Sequence, residues 1–218
     1  QWSLVYGGSI LNKAENKSTI NSAANRKVLN QFRQMMYIQK LGNSSTQGVA
    51  VDNLMFANKL GLEVSGPWLN EGMIKNHINY GVTQFPALTK NGKKQAWLAG
   101  VGFGIPTSTD DSKTKAIYSF VKYWNTKKIG KKWSQENKCA PYLKDVAADK
   151  SIKNDPVISE LAKQTSYSKV MWPGNVHASD ITTNVITPMC NKVVTGSDVN
   201  TQLKLADNKI NKILKGED

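Results

Sequence analysis

The sequence predicts an α/β fold that is rich in helices. Two observations lead to this prediction. Apolar residues recur with helical spacing in several long stretches, most of which are opened by a capping residue and closed by glycine or proline. Between them lie two short segments, residues 62–65 and 80–85, in which apolar and polar residues alternate as in half-buried strands. Helices and strands that alternate along one chain are typical of α/β proteins.

The N-terminal stretch is predicted to form an apolar segment, a hairpin and a long helix. Residues 2–10 are apolar and contain Gly7-Gly8, where the missing side chains allow a sharp turn. Residues 9–20 fit a hairpin, after which Asn21 or Ser22 caps a helix. The apolar face of this helix consists of Val28, Leu29, Phe32, Met35 and Met36.

Residues 53–68 combine a helix, a strand and a turn that carries a tryptophan. Asn58 and Gly61 are stop signals for the helix, because both tolerate the left-handed conformation that ends one. The strand at 62–65 is broken by Gly66-Pro67, and Trp68 follows on the turn. A large aromatic in this position either forms a flat binding platform or packs into a core.

A second strand and a glycine-rich segment follow Trp68. The strand at 80–85 is stopped by Pro86, and a charged loop occupies 89–94. Residues 97–105 carry glycines with G-x-G-x-G spacing, and Pro106 follows directly. This spacing does not match the dinucleotide fingerprint, so we expect a strand that passes close to other backbone.

The rest of the chain is predicted to be mainly helical. Ser108 and Thr109, followed by two acidic residues, open a helix. Its apolar face, which we expect in the core, consists of Ala116, Ile117, Phe120, Val121 and Trp124. Further helices are predicted at 129–136, from Val157, at 181–194 with a kink at Pro188, and from Asp198.

The composition is that of an ordinary soluble globular protein with a strong basic balance. Of 218 residues, 39% are hydrophobic and 21% are charged, and no apolar run is long enough to span a bilayer. The net charge of +13 comes mainly from lysines, with Arg26 and Arg33 as the only arginines. Nucleic-acid binding is one interpretation, but arginine is the better phosphate and guanine ligand, and no nucleic-acid-binding signature is found. Solubility, or attraction to an anionic surface, is the other interpretation.

Cysteine and histidine usage argues against a metal site. Cys139 and Cys190 are too far apart for a CxxC motif or a cysteine-cluster zinc site. In an exported protein they could form a disulfide, and two unpaired thiols are the alternative. His77 and His177 lack ligand spacing. We therefore predict no metal and no cofactor.

The order of these landmarks resembles a known family. Gly-Gly, a capped helix, Gly-Pro-Trp, Tyr-Gly-Val, a glycine-rich crossing and an Asp-Pro follow one another as in the extracellular solute-binding proteins of ABC importers. The similarity is to the sugar-binding, maltose-binding-protein-like branch. In that branch Phe-x-x-Gly-Lys-x-Ala-Met precedes the Gly-Pro-Trp. Here these positions are taken by Met55, Asn58, Lys59, Gly61 and Leu62.

The resemblance implies the C-terminal part of a type II periplasmic-binding-protein-like fold, with two hinged lobes. Residues 1–99 would belong to the C-lobe, residues 100–155 to the N-lobe, and residues 156–218 would return to the C-lobe. The N-terminal portion of the family's sequence is absent here. We expect that its loss leaves the helices of 104–152 without the sheet they pack on, so that the chain could dimerise or swap domains.

The resemblance also implies a saccharide site in the cleft between the lobes. Many members carry an aromatic in the helix that follows the position of Trp172, and residues 180–183 offer none. Trp172, Asn175, His177 or Asp180 could take the place of that aromatic. The other ligand-binding residues that the resemblance implies are Trp68, Tyr6, Gly100 and Gly102.

Three functions remain to be compared. The first is the substrate-binding component of an ABC importer, which binds a saccharide such as a maltodextrin and works with a membrane permease. It would be anchored to the cell envelope as a lipoprotein or be a secreted receptor. The second is an enzyme, but Glu63 and Glu71 form no recognisable catalytic motif and no nucleophile elbow is present, so we predict no catalysis. The third is a basic adhesion or nucleic-acid-binding fragment, which is suggested by the charge.

Overall fold

The computed structural model describes residues 1–43, 45–46, 48–100, 102–172 and 174–217. The chain forms two compact units. Unit 1 consists of residues 1–48, 86–97 and 169–218, and unit 2 consists of residues 49–85 and 98–168. Val101, within the predicted strand 97–105, and Pro173, beside Trp172, lie outside the described residues. The two units are defined by contacts within this chain and not by the lobes of the family. The lobe boundaries at 99/100 and 155/156 therefore remain a prediction.

Unit 1 is built mainly from helices. They are α1 (Trp2–Val5), α2 (Ala23–Arg33), α10 (Ala178–Asp180), α11 (Thr187–Val194) and α12 (Val199–Lys215), with π-helical stretches at Gln34–Ile38 and Ile181–Ile186. The predicted hairpin is confirmed as one antiparallel bridge between Leu11 and Ser18. Ser22 caps α2, because its side chain accepts a hydrogen bond from the backbone N–H of Asn25.

The core of unit 1 lies between α12 and the helices that precede it. The buried side of α12 consists of Val199, Leu203, Ala206, Ile210 and Ile213, as its spacing predicts. These residues pack in one cluster with Leu11, Ile20 and Leu29 from the N-terminal segment and with Ile181, Val185, Met189 and Val193 from the preceding helices. Pro188 stands in the first turn of α11, shortly after the π-helical stretch Ile181–Ile186. We predicted a kink at this position, and the structure changes there from π-helical to α-helical hydrogen bonding.

Unit 2 contains the helices around the Gly-Pro-Trp turn. They are α3 (Val49–Phe56), α4 (Leu69–Lys75), α5 (Asp111–Trp124), α6 (Lys127–Asn137), α7 (Lys144–Ala147), α8 (Lys150–Lys153) and α9 (Pro156–Gln164). Asn58 has a φ of 56°, the left-handed conformation that ends α3 as predicted. A small buried cluster joins Val146, Ile152 and Ile158.

Two predicted strands are not formed. Residues 62–65 and 80–85 have no strand assignment, and Leu62 and Val64 are 75% and 63% exposed. An extended segment becomes a strand only when a neighbour pairs with it, and neither segment has such a neighbour within the described residues. The segment 80–85 is held by side chains instead, since Gln84 donates to Glu160 and accepts from the hydroxyl of Tyr167.

Short strands occur where the chain passes from one unit to the other. β1 (Ala96–Leu98) pairs with β2 (Ser168–Val170) in a two-stranded sheet. The predicted strand 97–105 is therefore much shorter than expected. A side chain at Gly100, Gly102 or Gly104 would meet no atom within 4 Å, so the close backbone approach that we expected there is absent.

The face of α5 that we predicted to be core is not buried. No residue of α5 is buried, although Asp110 caps its first turn and the helix runs over the predicted length. Its apolar side chains join an exposed cluster of aromatic rings, which we call the aromatic patch: Phe103, Phe120, Trp124 and Trp133. An amphipathic pattern fixes which side of a helix is apolar but not whether another layer covers it.

Candidate functional site

The Gly-Pro-Trp turn presents Trp68 at the surface of unit 2. The indole side chain is 70% exposed, at the residue that precedes α4. Backbone N–H groups of Leu69 and Asn70 donate to the carbonyls of Gly66 and Pro67, both at 3.1 Å. These two hydrogen bonds give the turn its shape.

Two contacts hold this turn in place. Asn70 is buried, and its side-chain amide donates to the backbone carbonyl of Lys138 at 2.8 Å. The ring of Trp68 lies over Gly66, where an added Cβ would come within 2.1 Å of the indole carbon Cζ3. Glycine is therefore required at position 66 if the indole is to keep this orientation.

Trp68 is one wall of an open groove with a volume of about 440 Å³. The groove is lined by Asp52, Phe56, Trp68, Glu71, Gly72, Lys75 and Asn76. It thus combines two aromatic rings with carboxylate, ammonium and amide groups. A surface of this kind can place apolar ring faces against the aromatics and pair hydroxyl groups with the polar side chains.

The electrostatics of the groove are set by neighbouring carboxylates. Burial raises the pKa of Glu63, and the nearby carboxyl of Asp52 raises this pKa further. Asp52 lines the groove itself, whereas Glu63 is not among the lining residues. Two carboxylates this close favour hydroxyl or cationic donors over anions at this end of the groove.

The other predicted site residues have different surroundings. Gly100 and Gly102 are exposed and belong to unit 2. Tyr6 is half-buried in unit 1, where its hydroxyl pairs with the side chain of Gln31 and Lys27 lies 5.6 Å from its ring centroid. Tyr6 is thus already engaged by neighbours on α2.

The loop after β2 contains the remaining predicted residues. Trp172 is only 9% exposed and packs in the core of unit 1, so the structure does not present its ring to a ligand. Asn175 donates to the backbone carbonyl of Glu15 at 3.3 Å and accepts from the N–H of His177 at 2.9 Å. Asp180 is half-buried and its side chain accepts a hydrogen bond from the side-chain amide of Asn184. Asn175, His177 and Asp180 therefore stand on one short loop and helix start.

The disulfide that we considered is not formed. Cys139 and Cys190 are both free, half-buried thiols. Each belongs to a different unit, and Cys190 packs against the core of unit 1. Burial raises the pKa of both thiols, which disfavours their thiolate forms.

Neither a metal-binding cluster nor a membrane-spanning helix is found among the described residues. Histidine, cysteine and carboxylate side chains form no group of three that could hold a metal ion in that part of the chain. Among the helices described, none is both long and apolar enough to cross a membrane.

Sequence reasoning missed most of the groove. Asp52, Phe56, Lys75 and Asn76 were not identified, and Glu71 was considered only as a catalytic carboxylate. Part of the signal was present: Trp68, Glu71 and Lys75 follow a helical spacing that places them on one side of α4. Phe56 gave no signal, because its place in the groove depends on how α3 meets α4.

A family comparison matches most of the chain. A family described as bacterial extracellular solute-binding protein matches residues 1–160. Among curated proteins, the chain is 27% identical over 173 residues to the galactooligosaccharide-binding protein of Bacillus subtilis (strain 168), covering 75% of this chain and 41% of that protein. It is 31% identical over 116 residues to the maltotriose-binding protein of Pyrococcus abyssi, covering 50% of this chain and 24% of that protein. The chain thus spans less than half the length of these relatives.

Solved structures agree on the fold. The maltose-maltodextrin binding protein of Alicyclobacillus acidocaldarius matches with a TM-score of 0.83 at 18% identity, covering 96% of this chain and 58% of that chain. A solute-binding protein of an ABC transporter from Thermotoga lettingae, bound with α-D-tagatose, also has a TM-score of 0.83, at 21% identity, with 98% and 55% covered. The fold is that of maltose-binding-protein-like periplasmic binding proteins.

Proposed function

The chain belongs to the bacterial extracellular solute-binding proteins, and from this premise we propose that it binds a saccharide in the groove beside Trp68. The similar proteins are sugar-binding proteins of ABC transporters, which are not enzymes, in agreement with the prediction that this chain is not an enzyme. The observation that carries the proposal is the exposed indole of Trp68 on a turn whose shape is fixed by hydrogen bonds.

The indole suits the apolar side of a sugar ring. A pyranose exposes C–H groups on its faces, and an aromatic face can cover them. When the aromatic side chain is already held in a fixed orientation, binding does not carry the entropy cost of ordering it. Gly66 and Asn70 hold the turn, so the indole is oriented before a ligand arrives. This preorganisation supports Trp68 as the residue with the largest share of the binding energy.

The polar lining suits the hydroxyl groups of the same ligand. Asp52 and Glu71 accept hydrogen bonds, Lys75 donates them, and the amide of Asn76 does both. Such a mixture pairs with neutral hydroxyls in either direction. We infer that the ligand is a neutral saccharide, of which a maltodextrin is one form and a galactooligosaccharide another.

We propose that Gly100, Gly102, Asn175, His177 and Asp180 are further ligand-binding residues, because their places along the sequence resemble those of the family. In that arrangement Trp172 is left out because its ring is in the core, and Tyr6 is a weaker candidate because its hydroxyl is engaged. Closure of the lobes on the ligand would then present one conformation to a membrane permease. The corresponding location is the cell envelope, to which the exported receptor would be anchored.

We further propose that the aromatic patch is covered in the working protein by additional polypeptide of its own lobe. The patch offers Phe103, Phe120 and Trp133 with 53%, 49% and 40% of their surface exposed. Aromatic surface on this scale is uncommon on a soluble monomer unless another surface covers it. The solved relatives are also considerably longer than this chain, which covers 58% of the first of them.

Calorimetric titration with maltotriose, cellotriose and β-galactotriose tests the saccharide proposal. We expect at least one of these sugars to bind, and Trp68→Ala to weaken that binding by about 1–3 kcal/mol. Trp133→Ala is the matched control, because Trp133 is also exposed in unit 2 but lies outside the groove. The titrations are made on this chain and on the longer protein. Absence of sugar binding in both, or equal losses for the two tryptophan variants, would refute the proposal.

A further inference from the structure

The ring of Phe56 lies on a glycine in the middle of α4. A Cβ added to Gly72 would stand 2.1 Å from Phe56 Cζ and 2.4 Å from Cε1. Any side chain at position 72 would therefore push the ring away from α4. Gly72 lies inside a helix, where glycine is less stable than alanine. The contact between Phe56 and α4, which a side chain at position 72 would prevent, offsets this loss of helix stability.

Phe56 is less buried than Met55, its neighbour in α3. Met55 is buried with 9% of its surface exposed, whereas Phe56 remains half-buried and lines the groove beside Trp68. Met73, on the turn of α4 next to Gly72, is also buried. Met55 and Met73 are thus the buried apolar side chains of α3 and α4, whereas part of the phenyl ring of Phe56 is exposed in the groove.

We propose that Phe56 is a second ligand-contacting aromatic of the groove and that Gly72 is the residue that positions it. This inference rests on the proposed function, since it concerns the same saccharide site. Two aromatic rings line one groove of about 440 Å³, together with Asp52 and Glu71 as hydroxyl acceptors. A saccharide in this groove places one C–H face on the indole and a second C–H face, of the same or the next ring, on the phenyl group.

A purely structural role for Phe56 makes a different prediction. If the ring only joins α3 to α4, its removal lowers the stability of unit 2 but leaves the affinity of the folded protein unchanged. If the ring contacts the ligand, affinity falls even under conditions in which every variant is fully folded. Affinity and stability therefore have to be measured on the same variants.

Calorimetric titration of the tightest-binding trisaccharide of the panel above tests the ligand contact. We expect Phe56→Ala to raise Kd about tenfold or more. Phe56→Leu, which keeps apolar volume but no aromatic face, is expected to raise Kd by a smaller factor. Phe120→Ala is the matched control, an exposed phenylalanine of the same unit outside the groove, and its Kd should equal that of the unmodified protein.

The Gly72→Ala substitution tests the positioning role. We expect it to raise Kd when residue 56 is Phe and to have no further effect on Kd in the Phe56→Ala background, because there is no ring left to displace. Thermal unfolding gives a second readout that needs no ligand. The same substitution should lower Tm in the presence of Phe56 and raise it in the Phe56→Ala background, where alanine improves the helix.

The outcomes separate this inference from the proposed function. If the unmodified protein binds a saccharide and Phe56→Ala leaves Kd unchanged, Phe56 is not a ligand contact and the proposed function stands. If no saccharide binds, both are wrong. If Gly72→Ala has the same effect on Kd and Tm in both backgrounds, Gly72 does not act through Phe56.

Discussion

Lys131 Nζ lies 2.9 Å from Asp149 Oδ2, and this ion pair joins α6 to the start of α8. The other oxygen of the same carboxylate accepts hydrogen bonds from the N–H and the hydroxyl of Ser151. Asp149 is thus both the cap of α8 and the partner of a lysine from another helix. The hydrogen bond from Lys131 is the main reason that the pKa of Asp149 is lowered to about 2, and Ser151 lowers it further.

The first prediction concerns the pH dependence of this pair. The pKa of Asp149 is lower in the folded state than the value near 3.9 of an unfolded chain, so the ionised carboxylate favours folding. Its contribution is fully present above about pH 4 and is lost as the pH falls towards about 2. We expect Asp149→Asn to lower the free energy of unfolding at pH 7 and to have little effect near pH 2, as measured by urea denaturation. A destabilisation that is equal at both pH values would contradict this assignment.

The second prediction concerns Gly196, after α11. This residue has a φ of 118°, and an added Cβ would stand 2.6 Å from the ring of Tyr37. Its carbonyl also accepts a hydrogen bond at 3.0 Å from the guanidinium of Arg33. We expect Gly196→Ala to destabilise the protein by about 1–3 kcal/mol, because both the backbone and the ring must move.

Gly81→Ala is the control for that measurement. A side chain there would meet no atom within 4 Å, and its φ does not fall in the left-handed region. We expect a change in the free energy of unfolding within about 0.5 kcal/mol. Equal effects of the two substitutions in thermal denaturation would show that the surroundings of Gly196 are less crowded than described.

The third prediction compares two apolar positions in different helices. Leu203 on α12 has 0% of its surface exposed, and Phe120 on α5 has 49% exposed. Leu203→Ala should cost about 2–5 kcal/mol, because it removes buried methyl groups and leaves a cavity. Phe120→Ala should cost less than about 1 kcal/mol, although phenylalanine is the larger side chain. Urea denaturation at a concentration where the chain is monomeric measures both, and a larger loss for Phe120→Ala would mean that α5 is covered within the monomer.

The fourth prediction concerns self-association through the aromatic patch. An apolar surface that no other polypeptide covers favours contact between copies of the chain. We expect sedimentation velocity to detect a concentration-dependent dimer, which Phe103→Ser combined with Phe120→Ser weakens. Leu88→Ser is the control, because Leu88 is 48% exposed and lies in the other unit. Dimerisation that both variants retain equally would rule out the patch as the interface.

The helices of this protein could be predicted from the sequence because their signals are local. Ser22, Asp198 and Asn58 each act on their own turn of the chain, and the observed caps and ends follow them. The strands at 62–65 and 80–85 could not be predicted in this way. Their alternation describes a segment that would suit a sheet, but pairing depends on another part of the chain being beside it.

The candidate site could be predicted only in part for the same reason. Gly-Pro-Trp is a local motif that placed Trp68 on a turn, but the sequence left open whether its ring was exposed or in the core, and the structure exposes it. Trp172 was chosen as a substitute for the family aromatic that residues 180–183 lack, yet neighbours distant in sequence bury it in the core of unit 1. Phe56 was missed because the glycine on which its ring lies is on the next helix.

The order of the segments in unit 1 bears on how the chain folds during synthesis. Most of its core side chains, from Trp172 to Ile213, come from the last of its three segments. Unit 2, by contrast, has all its residues once position 168 has been added. On the ribosome unit 2 can therefore fold first. Until the last segment of unit 1 is made, residues 1–48 lack most of their core, and Leu11, Ile20 and Leu29 remain exposed. A chaperone that recognises exposed apolar segments would find its target during this interval in residues 1–48.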